Sequence, residues 1–212
     1  MLKRSDIIFS LIIGFVFGWL LMPVAANLGV ELGSFAFFMP IVFAIFAAFA
    51  LFIAWLLSKF LTGLFQFAKF ASVGALNFSI DFGVLNILIL LTGITAGLGF
   101  IIFKSVSVAA AIVNSYLWNK FWTFQERETQ SAAKEFLGFL VVTLVGIGVN
   151  VGTAHLVVNV VGARFGAAPA AWANIGAAAS VVITLFWNFF GYKFFVFKKA
   201  ASTFGKNQPP AV

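Results

Sequence analysis

The chain has no cysteine, one histidine and six carboxylates among 212 residues. Without cysteine there are no disulfides, no thiol catalysis and no Cys-based metal sites. One His and six acids are too few for a metal cluster, so neither a metal nor a cofactor is expected. Only 9% of residues are charged, and no long polar stretch could form a separate catalytic domain. The sequence contains no phosphate-binding glycine loop, no HExxH, no GxSxG and no carboxylate pair of the glycosidase kind. Glu126 and Glu128 are close, but in a charged loop that reads as solvated. No enzymatic activity is expected. The net charge of +7 does not mark a nucleic-acid protein, because the basic and aromatic residues form no soluble face.

What the chain has is hydrocarbon. It is 63% hydrophobic with a mean hydropathy of +1.11, more apolar than a soluble domain of this size needs. A helix needs about 20 apolar residues to cross a bilayer. Six runs qualify: roughly 7–29, 34–58, 70–92, 98–121, 136–161 and 170–194. The first is too long for a signal-peptide core and lacks a small-residue cleavage site, so it reads as a retained span. The region from Lys59 to Lys69 reads as an interfacial amphipathic turn, since Lys59, Thr62, Gln66 and Lys69 fall at helical spacing. The expected fold class is an all-α polytopic membrane protein of six transmembrane helices.

The charges then sort by side. With six spans only Lys104 and Arg164 lie opposite the other basic residues. The positive-inside rule puts both termini in the cytoplasm. Residues 199–212 read as a disordered basic tail.

A segment occurs twice. Asn119-Lys120-Phe121-Trp122-Thr123-Phe124 recurs 73 positions on as Tyr192-Lys193-Phe194-Phe195-Val196-Phe197. At the same offset Asn77 meets Asn150, Asn86 meets Asn159 and Ser107 meets Ser180. Such a period within hydrophobic helices implies a duplicated hairpin. The expected repeats are about 63–125 and 136–198, forming a four-helix domain over 63–198, with residues 1–62 an added N-terminal hairpin. Gly14 and Gly18 in that hairpin form a small-xxx-small pair suited to close helix packing.

Polar residues inside hydrocarbon face protein, water or ligand. Asn77 and Asp81, four apart, share one face of span three. Asp81 reads as a sugar-hydroxyl acceptor, a proton carrier or a helix–helix hydrogen-bond partner. Asn150 repeats Asn77, while Ala154, beside His155, stands where the first copy has Asp81. Span four carries Asn114, Asn119 and Lys120, and span six carries Asn188, Tyr192 and Lys193. Lys120 and Lys193 suit helix C-termini and can snorkel, or can hold a lipid phosphate at headgroup depth beside Asn amides. Lys104, near the other end of span four, is expected to snorkel.

Two stretches resemble the GtrA-like family. Phe67-Ala68-Lys69-Phe70-Ala71-Ser72-Val73-Gly74-Ala75-Leu76-Asn77-Phe78-Ser79-Ile80-Asp81 is similar to that family's opening, a basic-aromatic start followed by V-G-x-x-N and an Asp. Asn114 through Phe124 is similar to its Asn-x4-Asn-Arg/Lys-x-Trp-x-Phe ending, repeated more loosely as Asn188 through Phe197. The resemblance spans about residues 64–198. The N-terminal hairpin departs from the family's four helices, and Gly146 and Asn150 are one residue further apart than Gly74 and Asn77.

The resemblance implies a flippase of polyprenyl-phosphate-linked monosaccharide for cell-surface polysaccharide synthesis, in the cell inner membrane among membrane lipids. It implies a polyprenyl-phosphate glycosyltransferase as partner. Asn77, Asp81, Asn114, Asn119, Asn150 and Asn188 would line the route, with Lys120 and Lys193 on the phosphate. A homodimer would enlarge so small a pathway. Two other classes fit the composition: a scaffold that anchors such a transferase, and a small proton-coupled exporter using Asp81.

Overall fold

The computed structural model describes residues 2–126, 131–162 and 169–197. Arg127, Glu128, Arg164 and the basic tail over 199–212 lie outside the described residues. Among the described residues there are only helices and connections, and six helices are long and apolar enough to cross a membrane. They are α1 (Arg4–Asn27), α2 (Phe35–Leu57), α3 (Leu64–Thr92), α4 (Gly97–Trp118), α5 (Ala132–His155) and α6 (Pro169–Gly191). The all-α, six-span architecture is the one the apolar runs require.

Helix ends follow local chemistry. Gly63 and Gly93 flank α3 with φ of 88° and 71°, a left-handed conformation that glycine adopts without Cβ strain. The Lys59–Lys69 turn is corrected here. The chain breaks only before Leu64, and α3 carries Gln66 and Lys69 as buried helical residues. Lys69 finds a carboxylate inside the protein, so it need not stay at the interface.

The repeat appears in the backbone. α4 runs on as a π-helical turn, Asn119–Thr123, and α6 as another, Tyr192–Val196, at the 73-residue offset of the sequence repeat. α5 also ends in a π-helical turn, Leu156–Val161. Such i→i+5 turns are rare and recur at functional positions.

The described residues fall into two compact units, one up to Thr123 and one from Phe124 onward. In the first, α1 packs against α2 and α3, and α3 against α4. Its core gathers Ile13, Leu51, Val73, Leu76 and Trp122. The α1–α2 contact is backbone to backbone: a Cβ on Gly18 would lie 2.8 Å from Pro40 Cα. In the second unit α5 packs against α6. Phe139 stacks on Tyr192 at 4.4 Å, and Phe124 on Phe197 at 5.0 Å.

Candidate functional site: a polar ladder between two spans

α3 and α4 form an antiparallel hairpin, so residues at similar distances from its connection face each other. Asn77 and Asp81 stand one turn apart on α3. Asn114 Nδ2 donates to Asn77 Oδ1 at 2.7 Å. Lys104 Nζ donates to both Asp81 oxygens, at 2.8 and 2.7 Å. Ser107 Oγ lies 2.7 Å from Asp81 Oδ1, and Lys104 also stands 5.4 Å from the Phe82 ring. The result is a ladder of two polar rungs within membrane-spanning helices.

The lower rung is not sealed. The Asp81 and Lys104 side chains remain 22% and 39% exposed. A carboxylate held by one ammonium and one hydroxyl keeps acceptor capacity for sugar hydroxyls. The ammonium can be shared with a phosphate. Lys104, expected to snorkel, pairs with a carboxylate one helix away while its side chain stays partly exposed.

The other predicted residues divide between the units. Asn119, 1% exposed, donates through Nδ2 to Ser115 O at 2.9 Å, while its Oδ1 is buried without a hydrogen bond. Lys120 is 4% exposed and lies 3.4 Å from Tyr116 Oη. In the second unit Lys193 is half-buried, 5.5 Å from the Phe189 ring and 5.8 Å from that of Phe194. Asn150 is half-buried on α5. Asn188 lies over Gly146, where a Cβ would clash with its Oδ1, an oxygen without a hydrogen bond.

The second copy does not reproduce the first ladder. Trp187 stands where the offset puts the partner of Asn114, and its Nε1 donates to Val142 O at 3.1 Å. Ala154 replaces Asp81 and Ala177 replaces Lys104. His155 Nδ1 instead lies 3.0 Å from Asn159 Nδ2 on its own helix. Tyr192, the counterpart of Asn119, has its hydroxyl 2.8 Å from Thr143 Oγ1.

Sequence reasoning missed a second buried cluster. Asp6, in the first turn of α1, receives Lys69 Nζ at 2.5 Å and Trp122 Nε1 at 3.0 Å on Oδ1, and the Lys3 backbone N–H at 2.9 Å on Oδ2. Both charged side chains are 3% exposed. Lys69 also lies 4.5 Å from the Phe65 ring. The signal was a lone acid beside Lys3 and Arg4 at the head of an apolar run.

A profile of the GtrA/DPMS transmembrane domain matches residues 69–197. Over 91 residues the chain is 32% identical to the uncharacterized membrane protein YngA of Bacillus subtilis (strain 168), an alignment covering 43% of this chain and 57% of that protein. No solved structure matches. The profile is that of a membrane-protein family associated with the handling of lipid-linked sugars. It covers more than half of the sequence and includes both the ladder and the two equivalent π-helical turns, and the chain belongs to the GtrA/DPMS transmembrane-domain family.

Proposed function

We propose that the protein is a non-enzymatic translocase, moving a polyprenyl-phosphate-linked monosaccharide across the membrane for polysaccharide synthesis or glycosylation. The ladder of Asn77–Asn114 and Asp81–Lys104–Ser107 carries this reading. Ionisable groups at membrane depth are costly, and they mark the paths of polar cargo. A sugar phosphate needs hydroxyl acceptors and a cation, and this half-exposed rung offers both, while the polyprenyl tail stays in lipid.

Asn119 and Lys120 on the first copy, and Asn150, Asn188 and Lys193 on the second, extend the polar set. Lys193, half-buried between two rings, is the phosphate contact at headgroup depth, with Lys120 its counterpart. The inner membrane, with both termini in the cytoplasm, is the setting that the basic residues favour. Consumption of the product, or an ion gradient, would drive movement.

The test is reconstitution. Purified protein in liposomes receives a polyprenyl-phosphate hexose on one leaflet, and a membrane-impermeant probe follows its arrival on the other. Protein-dependent movement that falls in Asp81→Asn is the expected result. A folded protein that moves none of several sugars overturns translocation and leaves a scaffold for a polyprenyl-phosphate glycosyltransferase.

A further inference from the structure

The second unit carries a groove that the ladder does not use. Lys134, Gly138, Val142 and Val145 recur along one side of α5, and Trp187 and Phe195 form the facing wall. Its volume is about 510 Å³, in the range of small-molecule sites. At 1.5 Å per residue, Lys134 to Val145 spans about 16 Å. That is about half of a hydrocarbon core some 30 Å thick, the depth of one leaflet.

The chemistry is graded along its length. Lys134 is the one charged side chain in the lining, and it lies in the first turn of α5, where the helix dipole also favours an anion. Beyond it the lining is apolar. Gly138 leaves the floor open, since a Cβ there would meet nothing within 4 Å. The indole N–H of Trp187 is bonded to Val142 O, so this polar atom is already satisfied.

We propose that this groove binds an anionic phospholipid of the bilayer, with its phosphate on Lys134 and one acyl chain along Gly138, Val142 and Val145. A cation at one end only and a length of one leaflet fit such a lipid. A peptide would need polar partners for its backbone along the whole groove. Because none of its lining residues belongs to the ladder, its test is independent of transport.

Trp187 reports on the groove. The full chain is reconstituted in phosphatidylcholine vesicles containing either dibrominated phosphatidylglycerol or dibrominated phosphatidylcholine. Bromine quenches nearby indoles, and Trp187→Phe isolates the contribution of that ring. The brominated phosphatidylglycerol should quench Trp187 at about fivefold lower mole fraction than the brominated phosphatidylcholine. Lys134→Gln should erase this preference, and Gly138→Leu should weaken quenching by both lipids. Equal quenching by the two lipids, a preference that survives Lys134→Gln, or quenching untouched by Gly138→Leu each overturns the assignment.

Discussion

Lys104 holds both carboxylate oxygens of Asp81 across the α3–α4 hairpin, with nitrogen–oxygen distances of 2.8 and 2.7 Å. Removing one partner strands the other charge at membrane depth. A fully buried pair would lose about 3–5 kcal/mol. This one is partly exposed, so the expected loss is about 1–2 kcal/mol for Lys104→Gln or Asp81→Asn. The double variant should recover most of the lost stability, because no net charge is then left alone, yet it should not recover translocation. Thermal unfolding in detergent, read beside the liposome assay, separates the two effects. A double variant that still transports would remove the pair from the cargo route.

Asp6 and Lys69 form a tighter pair, both side chains almost fully enclosed. Asp6→Asn should destabilise the fold by about 3–5 kcal/mol, because Lys69 is left buried without its carboxylate partner. Asp6→Leu combined with Lys69→Met should be close to neutral, since apolar replacements of similar volume often substitute for a buried pair. Trp122→Phe removes the indole donor to Asp6 and part of the core volume around it, for about 2–3 kcal/mol. Unfolding midpoints of the four proteins give that ranking directly. If the double variant were as unstable as Asp6→Asn, packing and not charge would be what Asp6 supplies.

The contrast between these pairs shows what was legible in the sequence. Six spans follow from the length of the apolar runs, because bilayer thickness leaves few alternatives. The 73-residue repeat foretold two equivalent helix ends, and both are π-helical turns. Asn77 and Asp81 could be put on one face by spacing alone. Their partners could not, since facing residues depend on the register of α3 against α4. Counting equally outward from the connection at Gly93 to Ala96 sets Asp81 opposite Val108, one residue past Ser107 and four past Lys104, so the count finds the neighbourhood but not the partners. Asp6 and Lys69 are 63 residues apart and belong to different hairpins, so no periodicity joins them. Treating Lys69 as a topology signal hid its role as a buried partner.

Asn77 and Asn114 form a neutral rung, and its worth can be measured alone. Interhelical hydrogen bonds in membrane proteins contribute about 0.6 kcal/mol on average, because the separated helices find other partners. A double-mutant cycle with Asn77→Ala and Asn114→Ala should give a coupling of that size. Movement of the sugar lipid should fall much more than stability does in either single variant. Equal losses in both readouts would make the rung a packing contact only.

Gly14 and Gly74 are both helical glycines, yet they predict opposite signs. A Cβ on Gly14 would lie within 2.6 Å of the Phe43 carbonyl carbon, and closer still to its oxygen. These are backbone atoms of α2, which cannot swing aside as a side-chain tip can. Gly14→Ala should therefore push α1 from α2 and destabilise by about 1–3 kcal/mol. Gly18→Ala meets Pro40 Cα and the Met39 carbonyl in the same way and should act alike. At Gly74 a Cβ would meet nothing within 4 Å. Alanine there gains helix propensity without a clash and should stabilise by about 0.5–1 kcal/mol. Unfolding in a denaturing detergent gradient compares the three variants in one experiment. A small-residue contact that holds the hairpin together requires Gly14→Ala and Gly18→Ala to fall on one side of the parent protein and Gly74→Ala on the other. If all three shift together, the α1–α2 contact yields more easily than its backbone distances imply.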